Sequence, residues 1–86
     1  MWWQADEMRH EVTLLVRSDC HACAAARADL ARICAELGVP WQTSDVDADP
    51  SLRAEYGDRV PVILVDGQEH SCWTVREARL RAALTR

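Results

Sequence analysis

The sequence predicts a single α/β domain in which three helices flank a mixed four-stranded sheet, and three observations predict it. Apolar, β-branched runs alternate with stretches of helical spacing in the order β-α-β-α-β-β-α. Asp66-Gly67 is a two-residue turn signal between the last two strand-like runs. Cys20 and Cys23, three apart, fall where the first strand-like run gives way to the first helix-like one. Residues 1–10 lack periodicity and are expected to form a leader, in which Trp2 and Trp3 fold back on the surface, meet a partner chain or lie disordered. Residues 11–86 are expected to be the folded domain.

Each element follows from its residues. Residues 11–17 are β-branched and apolar and read as a buried strand ending at Ser18-Asp19. Residues 20–37 are alanine-rich, with high helix propensity. Cys23, Ala26, Leu30, Ile33 or Cys34, and Leu37 recur at helical spacing, so Cys34 is expected to be a small core residue. Gly38 supplies the stop, with Pro40 just beyond. Residues 41–46 form a second, less apolar strand, expected near an edge. Asp49-Pro50 reads as an N-cap followed by proline at the first helical position, opening a short helix that Gly57 closes. Residues 60–65 are a strongly apolar third strand, and residues 68–72 return as its hairpin partner. Thr74 and Glu77 have the spacing of a capping box, opening a last helix with Val75, Leu80 and Leu84 inward. Helices crossing between the first strands imply parallel pairing there, and the tight turn makes the last pair antiparallel.

Composition narrows the function. A chain of 86 residues with net charge −4 and interspersed charges does not suggest a nucleic-acid or anionic-membrane partner. No stretch approaches the roughly 18 apolar residues needed to span a bilayer. The first residues lack a basic region followed by an apolar one, so no secretory signal is read and a cytoplasmic location is expected. Four cysteines fall below the density of a disulfide scaffold. The spaced aspartates 45, 47 and 49 are not a calcium loop, because Pro50 and Tyr56 stand where glycine and glutamate are required.

The chemistry centres on Cys20 and Cys23. A helix N-terminus offers unpaired N–H groups and the positive end of the dipole, and both favour a thiolate over a thiol. A free cysteine has a pKa of about 8.5, which such a setting can lower by one to several units. The i,i+3 spacing puts the second sulfur one turn on, able to close a disulfide with the first. Protonated His21 would stabilise the Cys20 thiolate; otherwise it is only an exposed helix-start residue. Asp19 would disfavour the thiolate, or else serves as the N-cap.

With Cys-x-x-Cys after the first strand, Val60-Pro61 opening the third and this helix order, residues 11–85 resemble the glutaredoxin branch of the thioredoxin-like superfamily. The small bacterial glutaredoxin-like proteins are the nearest in pattern. The resemblance implies a thioredoxin-like fold and a dithiol–disulfide oxidoreductase, with Cys20 as nucleophile and Cys23 as resolving thiol. It implies that Pro61 is cis, packs beside the cysteine pair and leaves the Val60 backbone to pair with a bound thiol peptide. Ser71-Cys72 replaces the Gly-Gly pair that lets glutathione approach, and Thr74 replaces a following aspartate. Arg17 stands where many relatives carry a basic residue, so it could hold a thiol's carboxylate or partner the thiolate.

The substrate-binding set expected from these matches is Val60, Pro61, Ser71, Cys72, Trp73 and Thr74; Arg17, Asp19 and His21 tune the thiolate. Cys72 is either a second redox or regulatory thiol or only a packing residue. Trp73 flanks a substrate groove or packs at the core or rim. No resident cofactor or metal is expected. Glutathione or mycothiol is the expected thiol co-substrate, a disulfide-containing protein or small thiol the substrate, and a reductase or low-molecular-weight thiol the electron donor, with the chain a monomer. The alternatives are a non-catalytic interaction module of the same fold, or a zinc protein using Cys20 and Cys23 with His70 and Cys72.

Overall fold

Alternation along the first strand sets up two layers of packing. The computed structural model describes residues 10–86, so the leader, Trp2 and Trp3 lie outside the described residues. The elements run β1 (Val12–Val16), α1 (His21–Leu37), β2 (Trp41–Asp45), a 3-10 turn (Val46–Ala48), α2 (Pro50–Tyr56), β3 (Val62–Val65), β4 (Gln68–Cys72) and α3 (Glu77–Leu84). Successive strand side chains point to opposite faces. Val12, Leu14 and Ile63 therefore meet Ala26, Leu30, Ile33 and Cys34 of α1 and Leu80 and Leu84 of α3. Leu15 and Val62 face the other way and pack with Val46, flanked by Leu52 and Tyr56 of α2. Cys34 is buried, and burial pushes its thiol pKa up.

The strand order is β2-β1-β3-β4. β2 is an edge strand, in keeping with its polar sequence. It lies parallel to β1, whereas β3 is antiparallel to both β1 and β4. The parallel crossover through α1 is as the sequence implies. The link through α2 is not a crossover of that kind, because it leaves β2 and enters β3 at the same end of the sheet. That end is where β1 delivers the chain to Cys20. The tight turn has positive φ at both Asp66 (54°) and Gly67 (83°), as a two-residue hairpin requires. Asp66 also fastens the start of β1, its carboxylate accepting the Glu11 N–H at 2.9 Å and lying 2.7 Å from His10 Nδ1. Pairing of β3 with β4 shifts between Ile63 and Leu64, leaving His70 as an extra residue in a bulge.

Two local expectations are corrected. Residues 60 and 61 precede β3 rather than opening it: proline has no N–H to give a ladder, which begins at Val62, and the Val60–Pro61 peptide is cis. The Thr74–Glu77 capping box does not form: α3 starts at Glu77, its N-cap is Arg76, and no side chain caps it. The Glu77 carboxylate is occupied elsewhere, accepting two bonds from Arg32 at 2.9 Å and one from Arg81 at 2.9 Å. Charge-assisted pairs of this geometry are roughly twice as strong as neutral hydrogen bonds. By contrast Asp49 caps α2 as read, accepting from the Ser51 and Leu52 N–H groups.

The Glu77 cluster joins α1 to α3 and makes stability sensitive to acid. The Arg32 and then the Arg81 guanidinium bonds hold the Glu77 pKa down, to about 2. A carboxylate depressed in the folded state contributes stability above its unfolded pKa and loses it as pH falls through the folded value. Unfolding midpoints of the wild type should therefore drop between about pH 4.5 and pH 2, and Glu77→Gln should flatten that limb. His10 has the opposite sign. The Asp66 carboxylate raises its pKa, so its smaller contribution is complete below about pH 6.5 and fades as pH rises through the folded value. Urea titrations at several pH values check both.

Candidate active site

The site forms where β1, α1 and the loop before β3 converge. After β1, Asp19 takes a left-handed φ of 58°, a conformation in which aspartate is enriched. This turns the chain so that Cys20, in an extended conformation, becomes the N-cap of α1. Asp19 is thus not the cap. Cys20 Sγ accepts the Cys23 N–H at 3.0 Å, filling the place that a serine or aspartate oxygen usually takes. One of the helix's orphan donors is thereby aimed at the sulfur itself. No acidic residue lies in the first turn to oppose a negative charge there.

Cys20 and Cys23 are joined as a disulfide with their Cα atoms 5.2 Å apart, inside the range such bonds require. The two sulfurs differ in access. Cys20 is partly exposed, whereas Cys23 is 4% exposed, within the core. One sulfur can meet a visitor and the other cannot. His21 is exposed at the first helical position.

Val60 and the buried Pro61 stand opposite, and among the described residues no backbone partner engages the Val60 N–H or C=O. The Pro61 carbonyl is used internally: it accepts the Trp73 N–H at 2.7 Å. Trp73 itself has φ of 70° and is 63% exposed. A left-handed bulky residue costs of order 1–3 kcal/mol, and here the bond to Pro61 holds it, turning the indole outward. Core packing of Trp73 is therefore excluded. Cys72 pairs with Val62 on the α2 side of the sheet and packs against the Leu15–Val46–Val62 cluster as a free thiol. Ser71 faces the other side, opposite Ile63, with its hydroxyl buried and unpartnered. Thr74 is exposed in a bend.

A cavity of about 560 Å³ opens beside Cys20, lined by Arg17, Asp19, Asp47, Asp58 and Val60 among others. Arg17 does not present a free charge to it. Its Nε and Nη2 meet the Asp47 carboxylate at 3.2 and 3.1 Å, and its Nη1 donates to the Gly57 carbonyl at 3.1 Å. Arg59, next to Val60, is likewise turned aside to Glu69, at 2.8 Å, with the Tyr56 ring below it. From sequence Asp47 enters only as part of the rejected calcium pattern, and Asp58 not at all. Asp58 has one sequence signal, its place in the short loop before Val60-Pro61, which must return to the cysteine end of the sheet. The zinc alternative needs His70 and Cys72 beside the cysteine pair, and among the described residues no three His, Cys, Asp or Glu side chains gather around one point. None of the described helices is long and apolar enough to cross a membrane.

Comparison with known proteins agrees with this architecture. The chain is similar to the uncharacterized protein Rv0508 of Mycobacterium tuberculosis, 48% identical over 83 positions that cover 91% of this chain and 86% of that protein. Among solved structures it is similar to protein XcR50 from X. campestris, with a TM-score of 0.69 and 35% identity, covering 86% of this chain and 95% of that one. Thioredoxin of Fasciola hepatica shares the fold at a TM-score of 0.60 and 22% identity, over 98% of this chain and 88% of that one. The model of the glutaredoxin-like domain (DUF836) matches residues 11–85. With a thioredoxin-like sheet, a cysteine pair at the head of α1 and a match over nearly its whole length, the chain belongs to the glutaredoxin-like (DUF836) family.

Proposed function

We propose that the chain is a dithiol–disulfide oxidoreductase. The observation that carries this reading is the asymmetric disulfide at the head of α1, with Cys20 reachable and Cys23 enclosed. In the reduced protein the Cys20 thiolate attacks one sulfur of a substrate disulfide, a mixed disulfide forms and the first substrate thiolate leaves to take up a proton. Cys23 then attacks the Cys20 sulfur, the Cys20–Cys23 bond forms, and the second substrate thiol leaves. Two electrons pass from protein to substrate. The Cys23 N–H that points at Cys20 Sγ would stabilise the charge on the attacking sulfur and on the same sulfur as a leaving group.

The free backbone of Val60 would pair with an extended segment of the substrate, in the manner of an added strand, with Trp73 on the flank. Ser71, Cys72 and Thr74 would border the same end of β4. The substrate on this reading is a disulfide of a protein or small thiol. The dithiol would be restored by a reductase or a low-molecular-weight thiol such as glutathione or mycothiol, and the chain would act as a cytoplasmic monomer.

The test begins with reduced protein and one equivalent of a mild oxidant. A reversible Cys20–Cys23 disulfide should form, found by peptide mapping, and should pass its oxidation to dithiothreitol while Cys34 and Cys72 stay reduced. A pair that fails to close, or closes and cannot be reopened by a thiol, leaves only a binding module.

A further inference from the structure

The charges around Cys20 bear on which disulfide this site accepts. Four ionisable side chains line the cavity beside the sulfur: Arg17, Asp19, Asp47 and Asp58. Arg17 and Asp47 neutralise one another, and Arg59 is spent on Glu69. Asp19 and Asp58 have no ion-pair partner among the described residues. Two carboxylates without a salt bridge thus line the cavity that borders Cys20.

Resting on the oxidoreductase reading, we propose that the substrate disulfide of this site is carried by a positively charged polypeptide segment, selected by Asp19 and Asp58. A cleft lined by one sign of charge concentrates ligands of the opposite sign and slows those of its own. Oxidised glutathione, whose net charge is about −2 at neutral pH from its carboxyl and amino groups, meets repulsion there instead of the cation its carboxylates need. Arg17 cannot supply that cation while it holds Asp47.

Three small disulfides of similar bulk separate charge from every other property: cystamine (a dication), bis(2-hydroxyethyl) disulfide (neutral) and 3,3′-dithiodipropionate (a dianion). The rate at which each oxidises the reduced protein is followed by alkylation and mass spectrometry. Each is divided by its rate with dithiothreitol, which removes intrinsic reactivity. At low salt the dication should exceed the dianion on the order of tenfold, with the neutral disulfide between them. The ratio should shrink at high ionic strength and approach one in the Asp19→Asn/Asp58→Asn double variant. Equal normalised rates for all three, or a ratio that the double variant leaves unchanged, overturns the charge assignment alone. Failure of even the neutral disulfide to oxidise Cys20 and Cys23 overturns the redox reading, and this one with it.

Discussion

Cys20→Ser is expected to abolish disulfide exchange, while Cys23→Ser stops it halfway with substrate attached. A serine hydroxyl at position 20 is un-ionised near neutral pH and forms no bond equivalent to S–S, so turnover should fall on the order of 10³-fold or more, to background. Position 23 is different in kind. The group that supports the attacking sulfur is the backbone N–H of residue 23, 3.0 Å from Cys20 Sγ, and a serine keeps that donor. Cys23→Ser should therefore still attack, then accumulate the mixed disulfide because no second thiol lies within reach. Mass spectrometry after exposure to a peptide disulfide should show one adduct on the Cys23→Ser protein at Cys20 and none on Cys20→Ser. An adduct on Cys20→Ser at Cys23 would reverse the roles. Burial argues against that outcome, since Cys23 is enclosed.

Which parts of this arrangement were legible in the sequence follows from the range of the forces involved. The helix stop at Gly38, the Asp49 cap and the Asp66-Gly67 turn depend on neighbours within four residues, and each reads correctly. The two-layer core is also local in origin, because alternation in β1 and the spacing of Ala26, Leu30 and Ile33 already separate inside from outside. Thr74 and Glu77 failed because the local rule met stronger partners from afar: Arg32 lies 45 positions away in the chain, and its guanidinium outcompetes a backbone N–H for Glu77. Arg17 shows the same limit. Its position near Cys20 suggested a ligand for an anion, yet Asp47, 30 residues on, takes the charge. The cap at Cys20 was missed for a reason of another kind. The standard preference is for an oxygen-bearing side chain, which favoured Asp19, but the left-handed turn at Asp19 hands the position to a sulfur. That substitution of sulfur for oxygen is also what gives the site its chemistry.

The helix that carries the two cysteines is only as well placed as its packing, and Leu30→Ala should show how much depends on one side chain. Leu30 is fully enclosed, in the middle of the face of α1 that meets Val12, Leu14, Ile63 and Leu80. Truncating a leucine in such a setting removes its transfer free energy and leaves a cavity, at a cost of about 3–4 kcal/mol. A domain of this size has of order 4–13 kcal/mol in all, so the loss takes from roughly a quarter of the total to nearly all of it. The midpoint of thermal unfolding should fall by about 15 °C or more. Leu52→Ala, on the partly exposed α2, should cost about half as much or less, because water already reaches that side chain and α2 can close over the gap. Urea unfolding of the reduced proteins checks the contrast. A Leu30→Ala penalty below about 1 kcal/mol, or one no larger than that of Leu52→Ala, would mean that α1 is not seated on the sheet as described. In that case the Cys23 N–H would not be held against Cys20 either, since the same packing fixes both the buried face of α1 and the direction in which its first turn points.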